Sequence, residues 1–335
     1  MTRNAPIPPA VLAAARARSE ARRAHDWPTA DRLRAEIEAA GWRVIDSGTE
    51  FRLEPTHPPD TEAAGTTRYG RTESVPRRLE EPADRPATIV VVVAGELGAE
   101  GARELERSLA GALGEAPPNV DAVVVVDGLA DDGLAAVQGA VASVARDDRQ
   151  AEVVATSAVL GQAAALNIGI RRSRGELVIV LDPSVVARGN VVVPLAAALG
   201  DPTVAIAGPF GLVSADLRRF EEVAASGTAR EAASIQGYLM AFRRADAVAR
   251  GPLDEGFRYY RNLDIWWSFV LRDEGQGRLP RRALVVPDVP ARRGEPRAWT
   301  ATPEAERERL SKRNFYRLLD RFRTRLDLAV GPSSD

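Results

Sequence analysis

The stretch "GELVIVLDPSV", Gly175–Val185, is an apolar run opened by a glycine and closed by one acid, Asp182, with Ser184 two positions further on. A run this apolar, without polar alternation, reads as a strand buried on both faces. The same texture returns in "TIVVVVA", "DAVVVVD", "AEVVAT" and "TVAIAG", separated by Ala/Leu/Arg segments of helical length. That rhythm predicts an α/β fold with a mostly parallel, doubly covered sheet. Ligands in such sheets bind beyond the carboxyl ends of the strands, where Asp127 and Asp182 fall.

Bulk composition narrows the chemistry. With 335 residues, 45% of them hydrophobic, the chain can bury a large core, and a net charge of -2 gives no global field for nucleic acid or membrane. Cysteine is absent and only His25 and His57 are present, which removes thiolate catalysis and histidine-rich metal sites. Carboxylates, hydroxyls, amides and arginines must carry any reaction. Lys312 is the only lysine, so no single arginine stands out by type. The N-terminus is too charged for a secretory leader and no window of eighteen uncharged apolar residues occurs, so a cytoplasmic location is expected.

Three regions separate. Residues 1–55 read as helix, helix and β-hairpin: "HDWPTA" divides the helices, Asp26 is a candidate cap, Pro28 suits a first turn and Gly41 a stop. The hairpin turns at "SGT". Residues 56–86, proline-rich and charged with no apolar run, are expected to form a flexible linker. Residues 87–330 form the α/β domain. A final helix is predicted over about 303–328, with Leu310, Phe315, Leu318, Leu319, Phe322 and Leu326 on one apolar face.

Order and spacing within the domain resemble family 2 glycosyltransferases over about residues 87–330. In "VLGQAAALNIGIRRSRGELVIVLD", Gly161, Ala165, Asn167, Gly169, Gly175, Glu176 and Asp182 occupy that family's positions, whereas Val159 and Ser184 depart from it. "VVVVDGLADDG" is similar to its second-strand signature, with Asp127 and Asp132 as the two acids. Downstream, Gly237, Met240, Arg243, Arg244, Gly251, Asp254, Glu255, Phe257, Asp264, Arg272 and Gly275 follow the order of its acceptor half.

The resemblance implies an A-type glycosyltransferase (Rossmann-like) fold and transfer of a sugar from a nucleotide-diphospho-sugar to a hydroxyl acceptor, inverting and serving polysaccharide or glycoconjugate synthesis. On this reading Asp264 is the catalytic base, and Asp127, Asn167, Asp182 and Ser184 meet the nucleotide-sugar. Gly237, Met240 and Asp254 lie on the acceptor side. Asp182 would be the ligand of a divalent metal, Mg²⁺ or Mn²⁺, which needs only one or two carboxylates when diphosphate oxygens complete its shell. A strand-end or helix-capping role is the plain alternative for Asp127 and Asp264. Arg188, Arg243, Arg292 and Arg293 are available as phosphate-gripping cations, and sequence does not choose among them. Since Val159, Ser184 and the downstream arginines depart from the family at functional positions, a binding protein without turnover is the alternative reading.

The N-terminal module resembles the C-terminal tail of cysteinyl-tRNA synthetases over about residues 9–54. Asp26, Trp27, Ala30, Asp31, Arg34, Gly41, Val44 and Asp46 match, with His25 in a lysine's place. That resemblance implies a contact with RNA; a protein contact is the plain alternative.

Overall fold

The computed structural model describes residues 7–47, 50–63, 65–224, 227–296 and 301–332. The turn expected at Gly48–Thr49 and the arginine-rich segment's Arg297–Trp299 lie outside the described residues. Two compact units divide between Ser74 and Val75.

In the first unit, α1 (Pro9–Arg23) and α2 (Trp27–Ala39) precede an antiparallel hairpin of β1 (Trp42–Ser47) and β2 (Glu50–Pro55). Asp26 caps α2 by accepting from the Thr29 N–H at 3.2 Å, and Gly41 leaves it at φ +80°. Val11, Ala15, Ile37 and Trp42 form its small core. The supposed linker is partly structured: β3 (Thr61–Ala63) and β4 (Thr66–Tyr69) pair antiparallel, and residues 72–74 make a 3₁₀ turn. Composition hid this hairpin because its strands are short and carry no apolar run.

The second unit opens with residues 75–84 laid along its own surface. Val75 is buried, its carbonyl accepts from Arg171 Nε at 2.6 Å, and the Arg78 N–H donates to the Arg171 carbonyl at 2.9 Å. The elements then alternate as expected: β5 (Arg85–Ala94), α3 (Ala99–Gly114), β6 (Asp121–Asp127), α4 (Asp131–Val144), β7 (Ala151–Thr156), α5 (Gln162–Arg172) and β8 (Gly175–Leu181). Next come β9 (Val185–Ala187), α6 (Val192–Leu199), β10 (Val204–Gly208), β11 (Gly211–Val213), β12 (Glu221–Val223), β13 (Arg230–Ala232) and β14 (Ser234–Ile235). The chain continues through β15 (Leu239–Arg243), α7 (Arg244–Arg250), α8 (Leu263–Arg272), β16 (Arg282–Val285), β17 (Ala291–Arg293) and α9 (Glu304–Phe322).

Within this unit the main sheet runs β13-β16-β10-β15-β8-β5-β6-β7. The pairs β5–β6, β6–β7, β5–β8 and β10–β16 are parallel. β15 is reversed, antiparallel to both β8 and β10, with Leu239 opposite Leu181. Two apolar layers cover the faces, one built on Val91, Leu109 and Leu195 and the other on Val90, Phe242 and Trp267. Burial on both faces is why the strands read as unbroken Val/Ile runs. A small sheet, β12-β11-β14, and a ribbon, β9-β17, stand beside it.

The last helix is shorter than its sequence pattern. It stops at Phe322 and a 3₁₀ turn follows at residues 326–328. Leu318, Phe322 and Leu328 are buried, but Leu326 is 60% exposed because the turn breaks the helical phase. No helix among the described residues is long and apolar enough to cross a membrane.

Candidate active site

Sheet direction assembles the site. β8 ends at the carboxyl edge and passes into Asp182, while β15 begins at the same edge just after Gly237 and Tyr238. The ladder continues one step past the strands, where the Asp182 N–H donates to the Tyr238 carbonyl at 2.9 Å. One residue back, the Gly237 N–H donates to Asp264 Oδ2 at 3.0 Å. The dipeptide Gly237–Tyr238 therefore joins the two acids.

Asp182 and Asp264 both border a small cavity of about 60 Å³, together with Gln162, Gly237, Tyr238, Met240 and Tyr260. A second space of about 60 Å³ lies behind it, shared by Asp182 and Ser184 with the end of β5 and the start of α3. In front opens a groove of about 960 Å³, bordered by Asp264, Arg218, Arg261, Lys312 and Glu308 among others. Tyr260 borders all three spaces.

Asp264 lies in the first turn of α8. The cap position itself belongs to Asn262, in a left-handed conformation at φ +66°. Asp264 Oδ1 accepts from the Ile265 N–H at 2.9 Å. Desolvation by the surrounding protein nevertheless raises its carboxyl above the ordinary range, outweighing those backbone bonds. A carboxylate so destabilised is a better proton acceptor, as a general base requires.

Asp182 is raised in the same direction, again chiefly by desolvation. Its Oδ1 accepts from both the Ser184 N–H at 2.8 Å and the Ser184 hydroxyl at 2.5 Å. Where a second acid was expected, Ser184 thus closes a turn on the first. A divalent cation was also expected here, with diphosphate oxygens completing the shell of a single carboxylate. Half of the single carboxylate is occupied, and no group of three His, Asp or Glu side chains among the described residues is placed to hold a metal.

Three other residues expected to meet ligand have polar atoms engaged within the protein. Asp127, 1% exposed, accepts from the Leu160 N–H at 2.8 Å and the Gly161 N–H at 2.9 Å, and takes the Thr156 hydroxyl at 3.0 Å. Its carboxylate holds the β7–α5 loop. Asn167, 5% exposed on α5, donates to the Leu253 carbonyl and to Glu255 Oε1 and accepts from the Leu253 N–H. That clamp uses its amide. Asp254 pairs with Arg317 of α9 at 2.8 Å and caps the Gly256 N–H, away from the residues that border the groove.

Sequence reasoning overlooked Tyr260, Tyr238 and the polar ties that place them. Asn314 of α9, 2% exposed, donates 2.8 Å bonds to the carbonyls of Tyr259 and Arg261, and Asn262 Nδ2 donates to the Ser311 carbonyl at 3.1 Å. α9 therefore sets the loop that presents Tyr260 and the start of α8. The available signal was a lone Asn inside an amphipathic pattern, on the face expected to be apolar. Among the arginines, Arg243 is consumed by the Val204, Leu199 and Asp201 carbonyls and by Asp246. Arg293 lies over the rings of Tyr238 and Phe210, at 5.0 and 5.2 Å from the centroids.

Comparison with known proteins agrees with this geometry. Residues 88–245 match the family described as Glycosyl transferase family 2. No curated protein matches the chain in sequence. Among solved structures, GalNAc-T7 with UDP, GalNAc and Mn²⁺ shares 14% identity at a TM-score of 0.53, over 72% of this chain and 48% of that one. The mannosyltransferase PcManGT from Pyrobaculum calidifontis, in complex with GDP-Man and Mn²⁺, shares 22% identity at a TM-score of 0.51, over 75% and 72%. The chain thus spans about half the length of the first of these, and the likeness establishes the fold, that of A-type glycosyltransferases.

Proposed function

We propose that the glycosyltransferase family 2 domain at residues 88–245, completed by α8 and α9, transfers a sugar from a nucleotide-diphospho-sugar to an acceptor hydroxyl. The observation that carries this reading is the cavity in which Asp182, at the end of β8, and Asp264, at the start of α8, meet across Gly237 and Tyr238. It opens between a narrow space at the strand ends and a wide groove, as a reaction between a buried donor and a bulky acceptor requires.

In this mechanism the acceptor enters the groove and its hydroxyl donates to Asp264. Asp264 takes the proton as the hydroxyl oxygen forms its bond to the anomeric carbon. The bond from that carbon to the diphosphate oxygen breaks on the opposite face, its electron pair leaving with the nucleoside diphosphate, so the configuration inverts. Asp127 and Asn167 contribute by fixing the loops that wall the donor space, and Met240 and Gly237 line the junction. The reaction is read as cytoplasmic and as a step in polysaccharide or glycoconjugate synthesis. The N-terminal unit is read as a contact module for RNA or a protein partner, with Arg16 and Arg23 bordering a hollow of about 350 Å³.

Calorimetry with UDP-, GDP- and dTDP-sugars tests the donor assignment. Binding of one donor, followed by its consumption when acceptors are supplied, is the expected result. No heat with any donor refutes the proposal, and binding without turnover under any acceptor would favour a binding protein.

A further inference from the structure

We propose that Tyr260 is a partition between the donor space and the acceptor groove, and that its ring keeps water from taking the sugar in place of the acceptor. The inference rests on the transfer reading above.

The borders of the three spaces single out this residue. The narrow space at the end of β5 and the wide groove have one bordering residue in common, Tyr260. The cavity between them shares Gln162 and Asp182 with the narrow space, shares Tyr238, Asp264 and Pro296 with the groove, and shares Tyr260 with both. Tyr260 thus stands where a buried sugar donor would face an acceptor arriving through the groove.

A partition has to be stiff, and this one is pinned on both sides. Ahead of it, the carbonyls of Phe257 and Arg258 accept from the Ala163 and Gln162 N–H groups at 3.1 and 3.0 Å, tying the loop to the start of α5. Behind it, the Leu263 N–H donates to the Tyr260 carbonyl at 3.1 Å as α8 begins. Asn314 holds the carbonyls of the two flanking residues, and the buried Tyr259 ring lies 4.6 Å from that of Tyr260, centroid to centroid. Tyr238, which borders the same cavity, is covered by Arg293, whose Nη1 donates to Gln236 Oε1 at 2.5 Å. Burial raises the Tyr260 phenol well above its ordinary value, so the partition carries no charge at neutral pH.

The base makes such a partition necessary. Asp264 can take a proton from water as well as from an acceptor hydroxyl. In that side reaction the water oxygen bonds to the anomeric carbon and its proton passes to Asp264. The bond to the diphosphate oxygen breaks, its electron pair leaves with the nucleoside diphosphate, and free sugar is released. Closing the donor side to water until an acceptor fills the groove suppresses this loss.

The test uses the full chain with Mn²⁺ supplied and no acceptor, at a saturating level of whichever UDP-, GDP- or dTDP-sugar binds in calorimetry, and measures free sugar. Tyr260→Ala should release it about tenfold faster than the parent, or more. A residue with a purely structural role would lower turnover, not raise it. Tyr260→Phe, which keeps the ring, and Tyr316→Ala, which removes an exposed ring elsewhere on α9, should stay within about twofold of the parent. Adding Asp264→Asn to Tyr260→Ala should cancel the gain, because the water then lacks its base. Should Tyr260→Ala melt early, Tyr260→Leu replaces it. No gain in free sugar, or a Tyr260→Phe protein as fast as the alanine variant, overturns the partition while donor binding stands. No donor binding by the parent overturns both readings.

Discussion

The backbone N–H of Gly237 donates to Asp264 Oδ2 at 3.0 Å, so the proposed base is aimed by a glycine that precedes a sheet strand. Replacing the carboxylate by an amide keeps the volume and removes the basicity. Asp264→Asn is expected to lower kcat by about 10²–10⁴-fold, the usual worth of a general base, with donor affinity in calorimetry unchanged.

Desolvation raises the Asp264 carboxyl, and this fixes the sign of two pH effects. For activity, the ionised form is needed, so the acid limb of kcat/KM should lie above the ordinary carboxylate value of about 3.9. For stability, the native state binds the proton more tightly than the unfolded chain. Stability from this group is therefore greatest at low pH and is lost as pH rises from about 3.9 through the raised native value. Asp264→Asn should then melt higher than the parent at neutral pH, with the gain vanishing in acid. Thermal melts from acid to neutral pH check this, and equal melting at every pH would contradict it.

Asn167→Ala separates clamp from ligand. It leaves the Leu253 N–H and carbonyl without their partners, which costs about 2 kcal/mol. Chemical denaturation should show that loss. Calorimetry on the folded protein should show nucleotide affinity close to the parent, whereas a direct contact would give a large affinity loss with little change in stability.

Two glycines should respond oppositely to alanine. At Gly161 the backbone is at φ +104° and a Cβ would come within 2.8 Å of the Arg258 Cα, so about 2–3 kcal/mol of stability should be lost. At Gly237 a Cβ would meet the Asp264 Cβ at 3.5 Å, an ordinary contact. That variant should keep its stability within about 0.5 kcal/mol and raise the acceptor KM, because the methyl enters the space beside the base.

Much of the N-terminal charge is internally compensated. Asp46 takes a two-pronged bond from Arg18 and another from Arg22. If the module contacts RNA, the remaining arginines carry it, and Arg16→Glu with Arg23→Glu should abolish RNA retention in a filter assay. Parental retention would remove the RNA reading.

The strands were legible because burial on both faces leaves an unmistakable apolar run, and their order fixed the carboxyl edge where Asp182 and Asp264 meet. What stayed hidden was the allocation of hydrogen bonds. Asp127 and Asn167 match a ligand-binding pattern yet spend their polar atoms on Leu160, Gly161 and Leu253, contacts made across dozens of residues. Tyr260 carries no motif at all and gains its place from Asn314, more than fifty residues downstream.

The reversed direction of β15 has a chemical corollary. Parallel strands present only carboxyl ends at this edge; the reversed strand brings an amino end among them, and with it outward-facing amides. Three consecutive residues ahead of it each hold a different part: Gln236 the arginine, Gly237 the Asp264 carboxylate, Tyr238 the Asp182 backbone. An insertion of one residue anywhere in 236–239 would exchange those partners and scramble the site, although the same insertion in a surface loop would leave the chain's chemistry untouched.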